Sequence, residues 1–274
     1  ACVVMSVSPP SRSSADSLVV ERDGGVAVLT LNRPERLNAL DAALIGLLER
    51  ELAELNEDEA TRAVVIAGAG QAFCAGVDMD GAEYNPLTSR TFLKRRNRVF
   101  DLLEGLPQPS VAALEGSAVA GGLELALACT FRVASAGTRL GLPEVKLGLV
   151  AAVGTTYRLP RLVGFGRALE MCLLGDLIQA EEAGKIGLVH QVCVPGGHLE
   201  AALALARRLA EGPPVAMSLM KDALYANAGA AGAEARAFAS ACHGAGRAMS
   251  RQQAVRRWRG RQVVDELAER GILV

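Results

Sequence analysis

Aromatic side chains are scarce: one Trp, three Tyr and six Phe in 274 residues, or 4% of the chain. Half of the residues are hydrophobic, so the core must be packed mainly from Ala, Val and Leu. The three histidines, His190, His198 and His243, are scattered, and none of the six cysteines (Cys2, Cys74, Cys129, Cys172, Cys193, Cys242) forms a C-x-x-C pair. That spacing argues against a metal site and against a disulfide framework. It favours buried thiols in a reducing compartment, and a cytoplasmic protein is expected. Net charge is nearly absent as well. The 29 Lys+Arg and 30 Asp+Glu leave −1, which excludes a generic nucleic-acid binder and leaves only a local basic patch, Arg247 to Arg261. No stretch of about 18 residues is apolar without a charge or a glycine, as a membrane-spanning helix would require. The nearest, Val111 to Cys129, contains Glu115, Glu124 and three glycines.

The N-terminus, residues 1–17, is rich in Ser and Pro and is expected to be a disordered leader. Its apolar part is too short for a signal-peptide core. Leu18 to Arg22 and Val26 to Leu31 flank Asp23-Gly24-Gly25, a hairpin signal. Asp41 is a candidate N-cap for a helix with Leu44, Leu48, Leu52 and Leu55 on one face. Ala63 to Ala67 reads as a buried strand entering a Gly-rich loop, Gly68 to Gly76. Thr88 to Glu104 reads as a helix with Phe92, Val99 and Leu103 on one side. Ser110 to Leu114 and Phe131 to Ala134 read as further strands. After Gly164 the chain is mostly helical: Arg167 to Leu174, Ala180 to Ile186, Leu199 to Glu211, Val215 to Asn227, Ala233 to Met249 and Gln253 to Glu269. A strand at Leu188 to Val194 interrupts this series. The class is α/β with a helical C-terminal part.

Glu124 is the only charged residue among the thirteen from Gly116 to Ala128. A carboxylate in such surroundings loses hydration, which is costly unless it is paired or its pKa rises. Gly121 and Gly122, just before it, allow close backbone approach to a ligand at the start of the helix that follows. A helix glutamate is ordinarily solvated, but these flanks are apolar. Two other segments present chemistry. Gln71-Ala-Phe-Cys-Ala-Gly-Val-Asp78 follows a buried strand as the Gly121 segment does, and each can offer a backbone N–H; two such donors make an oxyanion hole. Gly141-Leu-Pro-Glu-Val-Lys-Leu-Gly148 sets Glu144 after a proline in a mostly apolar loop. The glycines at 68, 70 and 76 are no P-loop, because the Lys-Ser/Thr ending is absent. Cys74 has no histidine near it in sequence to activate it and reads as a small buried side chain.

With these segments the chain resembles the crotonase (enoyl-CoA hydratase/isomerase) superfamily, closest to enoyl-CoA hydratases. The likeness runs from Leu18 to Glu211. It includes Leu31-Asn-Arg-Pro-Glu-Arg-Leu-Asn-Ala-Leu40, the three segments above, Arg158-Leu-Pro-Arg-Leu-Val-Gly164 and Ala180-Glu-Glu-Ala-Gly-Lys-Ile-Gly-Leu-Val189. The resemblance implies a crotonase-type α/β spiral of repeated strand-strand-helix units over 18–211. It also implies a C-terminal helical region, 212–274, that joins subunits into a homotrimer or a dimer of trimers. It implies an acyl-CoA thioester as substrate, coenzyme A being part of that substrate and no further cofactor being needed. The thioester carbonyl would sit between the backbone N–H groups of Val77 and Gly121. Ala39, Ala75 and Asp78 would border coenzyme A, and Trp258 and Arg261 have the spacing of a tail contact to it.

Hydratases of this family carry glutamates at the positions of both Glu124 and Glu144, and this chain has both. The implied reaction is reversible addition of water to a 2-enoyl-CoA, with Glu124 as the base that orients water and Glu144 as the acid that protonates C2. An enoyl-CoA isomerase or a pathway-specific dehydratase is the alternative within the family. A non-catalytic acyl-CoA- or RNA-binding scaffold using the basic tail is the alternative outside it. The chain departs from the family at Val150-Ala-Ala-Val-Gly154, where many hydratases have a Pro-Gly-Ala-Gly-Gly-type loop. Val150 and Val153 are therefore expected to shape the acyl pocket.

Overall fold

The computed structural model describes residues 17–78 and 86–230. β1 (Leu18–Asp23) and β2 (Val26–Leu31) form an antiparallel hairpin in register from Leu18↔Leu31 to Asp23↔Val26. Gly24 and Gly25 close it at φ +55° and +81°, the positive values that a two-residue turn of matching twist requires. β3 (Ala63–Gly68), β4 (Ser110–Leu114), β6 (Phe131–Ser135) and β9 (Gln191–Cys193) then add in parallel, giving a six-stranded sheet of order β1-β2-β3-β4-β6-β9. A parallel strand covered on both faces can be apolar throughout, and β3 is. Val64 and Ile66 face the main core, whereas Ala63, Val65 and Ala67 face a second cluster with Ala202 and Ala206 of a later helix, α7 (His198–Ala210).

A smaller sheet consists of β5 (Ser117–Val119), β7 (Arg139–Gly141) and β8 (Ile178–Gln179). Two single bridges extend it: Cys74 pairs with Ala118, and Val77 pairs with Leu40. The chain therefore repeats one course. A strand of the large sheet is followed by a short extended piece in the second layer, and then by a helix. β2 leads to Leu40 and α1 (Ala42–Glu57). β3 leads to Cys74–Val77 and, further on, to α2 (Pro86–Gly105). β4 leads to β5 and α3 (Gly121–Ala128). This is the expected spiral of strand-strand-helix units. Asp41 caps α1 as expected: its Oδ1 accepts from the Leu44 N–H at 2.7 Å, and Leu44, Ile45, Leu48, Leu52 and Leu55 are buried.

The remaining helices are α4 (Thr155–Val163), α5 (Phe165–Leu174), α6 (Ala180–Lys185), α7 and α8 (Pro214–Ala230). α4 is not among the helices expected from the sequence, and a glycine and a proline within so short a stretch would ordinarily disfavour one. Instead Gly154 is its N-cap at φ +82°, and Pro160 lies near its end, before Gly164. Pro143–Leu147 is a short 3-10 helix rather than a plain loop: Pro143 presets φ at its start, and the Gly148 N–H closes it on the Val145 carbonyl at 3.1 Å. The strand expected at Leu188 to Val194 is shorter, because the Leu188 and Val189 N–H groups both bond to the Ala183 carbonyl at the end of α6. All of the expected leader but Ser17, together with Ala233 to Met249, Gln253 to Glu269 and the basic patch, lies outside the described residues.

The second layer is packed at backbone contact. A Cβ on Gly122 would lie 2.1 Å from the Cys74 carbonyl oxygen and 2.8 Å from its carbon. Gly122→Ala must therefore displace the Cys74 loop, and it should destabilise the fold by at least about 1–3 kcal/mol in urea unfolding. Gly166→Ala, at an exposed helical site with nothing within 4 Å of the added Cβ, should be neutral or stabilising by up to about 1 kcal/mol.

Candidate active site

The start of α3 fixes one backbone donor. Ala120 adopts φ 51°, ψ −127°, a strained conformation for a residue with a side chain. Its N–H bonds to the Gly141 carbonyl at 2.9 Å, and its carbonyl accepts the Glu124 N–H at 3.0 Å. In a trans peptide the C=O and N–H point opposite ways. Turning the Ala120 carbonyl into the helix thus throws the Gly121 N–H outward from the helix start.

The Cys74–Val77 loop fixes the other donor. Gly76, at φ +105°, gives its carbonyl to the Leu40 N–H at 2.7 Å, so the Val77 N–H of the same peptide points away from Leu40. The two segments touch. A Cβ built on Gly121 would lie 3.6 Å from the Gly76 carbonyl carbon, the atom bonded to the Val77 nitrogen. Among the described residues neither N–H has an acceptor.

Glu124 is buried with the whole of α3. Its Oε1 accepts from the Val153 N–H at 3.1 Å and from the Thr155 hydroxyl at 3.0 Å. Its Oε2 lies 3.4 Å from Nη2 of Arg96 on α2. Burial pushes the Glu124 pKa up. The Arg96 charge opposes this most strongly, followed by the hydrogen bonds from Thr155 and Val153 and by the nearby Ala152 backbone. Glu144 sits in the 3-10 helix and differs. Its Oε2 is shielded from solvent, with no hydrogen-bond partner among the described residues. Burial first, and the Glu124 charge second, push its pKa up to about 7. One carboxyl is thus surrounded by donors and the other has an oxygen with none, an asymmetry that favours charge on Glu124 and a proton on Glu144.

Arg96, Thr155 and the Val153 N–H are absent from the set read in the sequence. The signal for Arg96 was present: it falls on the same helical stripe as Phe92, Val99, Phe100 and Leu103. Val153 is fully buried, whereas Val150 is 78% exposed. Ala39 and Ala75 lie on two loops laced together: the Ala75 N–H bonds to the Leu37 carbonyl at 3.0 Å, and the Ala39 carbonyl accepts from Arg33 Nη1 at 2.5 Å. The Asp78 carboxylate holds Arg33 and Arg36, each at 2.9 Å, so it can act on a ligand chiefly through the arginines it places. Trp258 and Arg261 lie outside the described residues. Burial pushes the Cys74 thiol up to about 12, which leaves it inert as a nucleophile at neutral pH. Among the described residues no three His, Cys, Asp or Glu side chains are grouped to hold a metal, and no helix is long and apolar enough to cross a membrane.

A family model described as enoyl-CoA hydratase/isomerase matches residues 21–262. The short-chain-enoyl-CoA hydratase of Clostridium acetobutylicum is 39% identical over 211 residues, 76% of this chain and 81% of that protein. The crotonyl-CoA hydratase of Syntrophomonas wolfei is 36% identical over 210 residues, 76% of this chain and 81% of that protein. Among solved structures, an enoyl-CoA hydratase from Bacillus anthracis superposes with a TM-score of 0.76 at 33% identity, covering 93% of this chain and 97% of that one. Pseudomonas aeruginosa DspI superposes with a TM-score of 0.73 at 36% identity, covering 78% and 88%. A family model that spans most of the sequence, relatives of this identity and a shared spiral lead to one conclusion: the chain belongs to the enoyl-CoA hydratase/isomerase (crotonase) family.

Proposed function

We propose that the protein is an enoyl-CoA hydratase, adding water reversibly to a 2-enoyl-CoA to give the 3-hydroxyacyl-CoA. The observation that carries this reading is the unequal pair of glutamates: Glu124 met by three donors, and Glu144 with one oxygen unpartnered and a pKa near 7. Hydration needs one group that takes a proton from water and one that gives a proton to carbon. Glu124, ionised, draws a proton from the water as its oxygen bonds to C3. The C2–C3 π electrons move onto the thioester as an enolate, whose oxygen is held by the Val77 and Gly121 N–H groups and favoured by the positive end of α3. Glu144 then gives its proton to C2. A proton passing between the carboxyls through the next water resets the pair. Coenzyme A enters as part of the substrate, and the residues named need no further cofactor for these steps. The names of the relatives make short-chain 2-enoyl thioesters the first substrates to try.

The subunits are proposed to associate as a trimer or a dimer of trimers in the cytoplasm. Phe165, Leu173 and Leu174 of α5 and Val215, Leu219, Met220 and Leu224 of α8 are exposed, and such surfaces mark contacts. A monomeric mass by light scattering would count against this assembly.

Crotonyl-CoA should be consumed with loss of enoyl absorbance. Glu124→Gln and Glu144→Gln should each lower kcat by about 10²- to 10⁴-fold; near-full rate in both would overturn the mechanism. In the wild type kcat/KM should fall as pH rises through about 7, where Glu144 gives up its proton.

The same group shapes stability. The Glu144 pKa is higher folded (about 7) than at its ordinary value of 4.5, so folding binds a proton between these values. Stability therefore falls as pH rises through that window and levels off above it. By calorimetry, Glu144→Gln should raise Tm relative to wild type above pH 7 and lose that advantage near the lower bound. An advantage independent of pH would show that the buried charge is not its source.

A further inference from the structure

We infer that Arg96 is the positioning residue of this site: its guanidinium holds Glu124 in the charged form and sets the direction of Oε2, so that one glutamate of the pair can serve as base while the other serves as acid. The inference rests on the hydratase reading for its kinetic consequence, and on the geometry alone for its electrostatic one.

Glu124 has 1% of its side chain exposed, and Arg96 has 10%. Oε1 is served by two neutral donors, Val153 N–H and the Thr155 hydroxyl. Oε2 meets only Arg96 among the described residues. A carboxylate removed from water is kept charged most effectively by an opposite charge within a few ångströms. Arg96 has in turn no other carboxylate within ion-pair distance among the described residues, and its Nε is shielded and unpartnered. Its Cζ lies 5.8 Å from the Phe92 ring centroid, which lends it cation–π support. The neighbouring cations turn outward: Arg95 and Arg98 both pair with Glu49, at 2.7 and 3.4 Å.

Among the described residues, the other titratable groups around the pair supply no second positive charge. Glu144 approaches from the 3-10 helix, the Cys74 thiol from its loop and the Cys172 thiol from α5. On α4, Arg158 is turned to Asp101 and Glu104, Arg161 to Glu104, and the Tyr157 hydroxyl to Asp101. Without the Arg96 charge, burial would push Glu124 toward the protonated state that Glu144 already favours. The site would then hold two acids and no base.

The test titrates Glu124 alone. In the Glu144→Gln background, with 13C-labelled glutamate and Glu124→Gln for assignment, the midpoint of the Glu124 carboxyl resonance is read against pH without substrate. Arg96→Gln should raise that midpoint by at least about one pH unit, tenfold in proton affinity, and Arg96→Lys should restore most of it. In the otherwise wild-type enzyme, the acid limb of the crotonyl-CoA kcat/KM profile should move up in parallel in the glutamine variant and return with lysine. An unchanged midpoint overturns the inference, and so does a rate loss that is equal at every pH or is not restored by lysine. If glutamine unfolds the chain, Arg96→Met, which keeps the packed stem, gives the neutral comparison. Should no acyl-CoA be turned over, the hydratase reading fails, and the carboxyl titration still decides the role of Arg96.

Discussion

One buried charge constrains the architecture more than any other interaction. α3 is eight residues long, all buried, and only Glu124 among them is charged. Protein groups must replace the water that its carboxylate gives up, and they come from two directions: Arg96 from α2, and Val153 and Thr155 from the turn and first residue of α4. α2 and α4 must therefore be docked to each other as well as to α3. Arg158 does this. It is itself buried, it pairs with Asp101 and Glu104 of α2, and it gives Nη1 to the Val153 carbonyl at 2.9 Å. The Val153 residue is thus held by its carbonyl from Arg158 and holds Glu124 by its N–H. Hydrogen bonds to a charged group contribute about 1.5–3 kcal/mol each, and breaking a buried pair costs about 3–5 kcal/mol. Surface pairs such as Lys146–Asp176 contribute about 0–1 kcal/mol. The network around Glu124 therefore decides how α2, α3 and α4 sit.

The second sheet imposes the other constraint, and it is steric. The loops carrying Val77 and Gly121 can be neighbours only because Gly76 and Gly122 leave room for backbone against backbone. The strain at Ala120, of order 1–3 kcal/mol, is tolerated because both polar groups of its backbone are bonded, to Gly141 and to Glu124. Asn38 performs a similar service one layer away. Fully buried at φ 56°, it donates to the Ala69 and Ala72 carbonyls at 2.8 and 2.7 Å and accepts from the Arg33 N–H, tying the loop before α1 to the loop after β3.

What could be read from the sequence follows from how local each signal is. β3 and the Leu44-Leu48-Leu52-Leu55 face of α1 are legible because periodicity and capping are local. Glu124 stands out because its whole surroundings are contiguous in sequence. Glu144 does not: it reads as an ordinary loop glutamate, and only resemblance singles it out. Its chemical character comes from burial and from the Glu124 charge, which are tertiary facts. Arg96 was hidden by its neighbours, since a run of Lys94, Arg95, Arg96 and Arg98 reads as a solvated face until the helix phase turns one of them inward. α4 was hidden by Gly154 and Pro160, whose local meaning as breakers is overridden by their places at its two ends.

These limits bear on how the site divides its work. Two residues of one type, with the same intrinsic acidity, are asked to play opposite parts. Nothing in a glutamate specifies which part it takes. The distinction lies in the count of donors at each carboxyl: two hydrogen bonds and a guanidinium at Glu124, and an oxygen left bare at Glu144. Each donor at Glu124 favours the charged form, and the charge so retained is what raises the pKa of Glu144 beyond the effect of burial alone. The two protonation states are therefore set together, and a change at Arg96 or Thr155 should be felt at Glu144 although neither residue hydrogen-bonds to it.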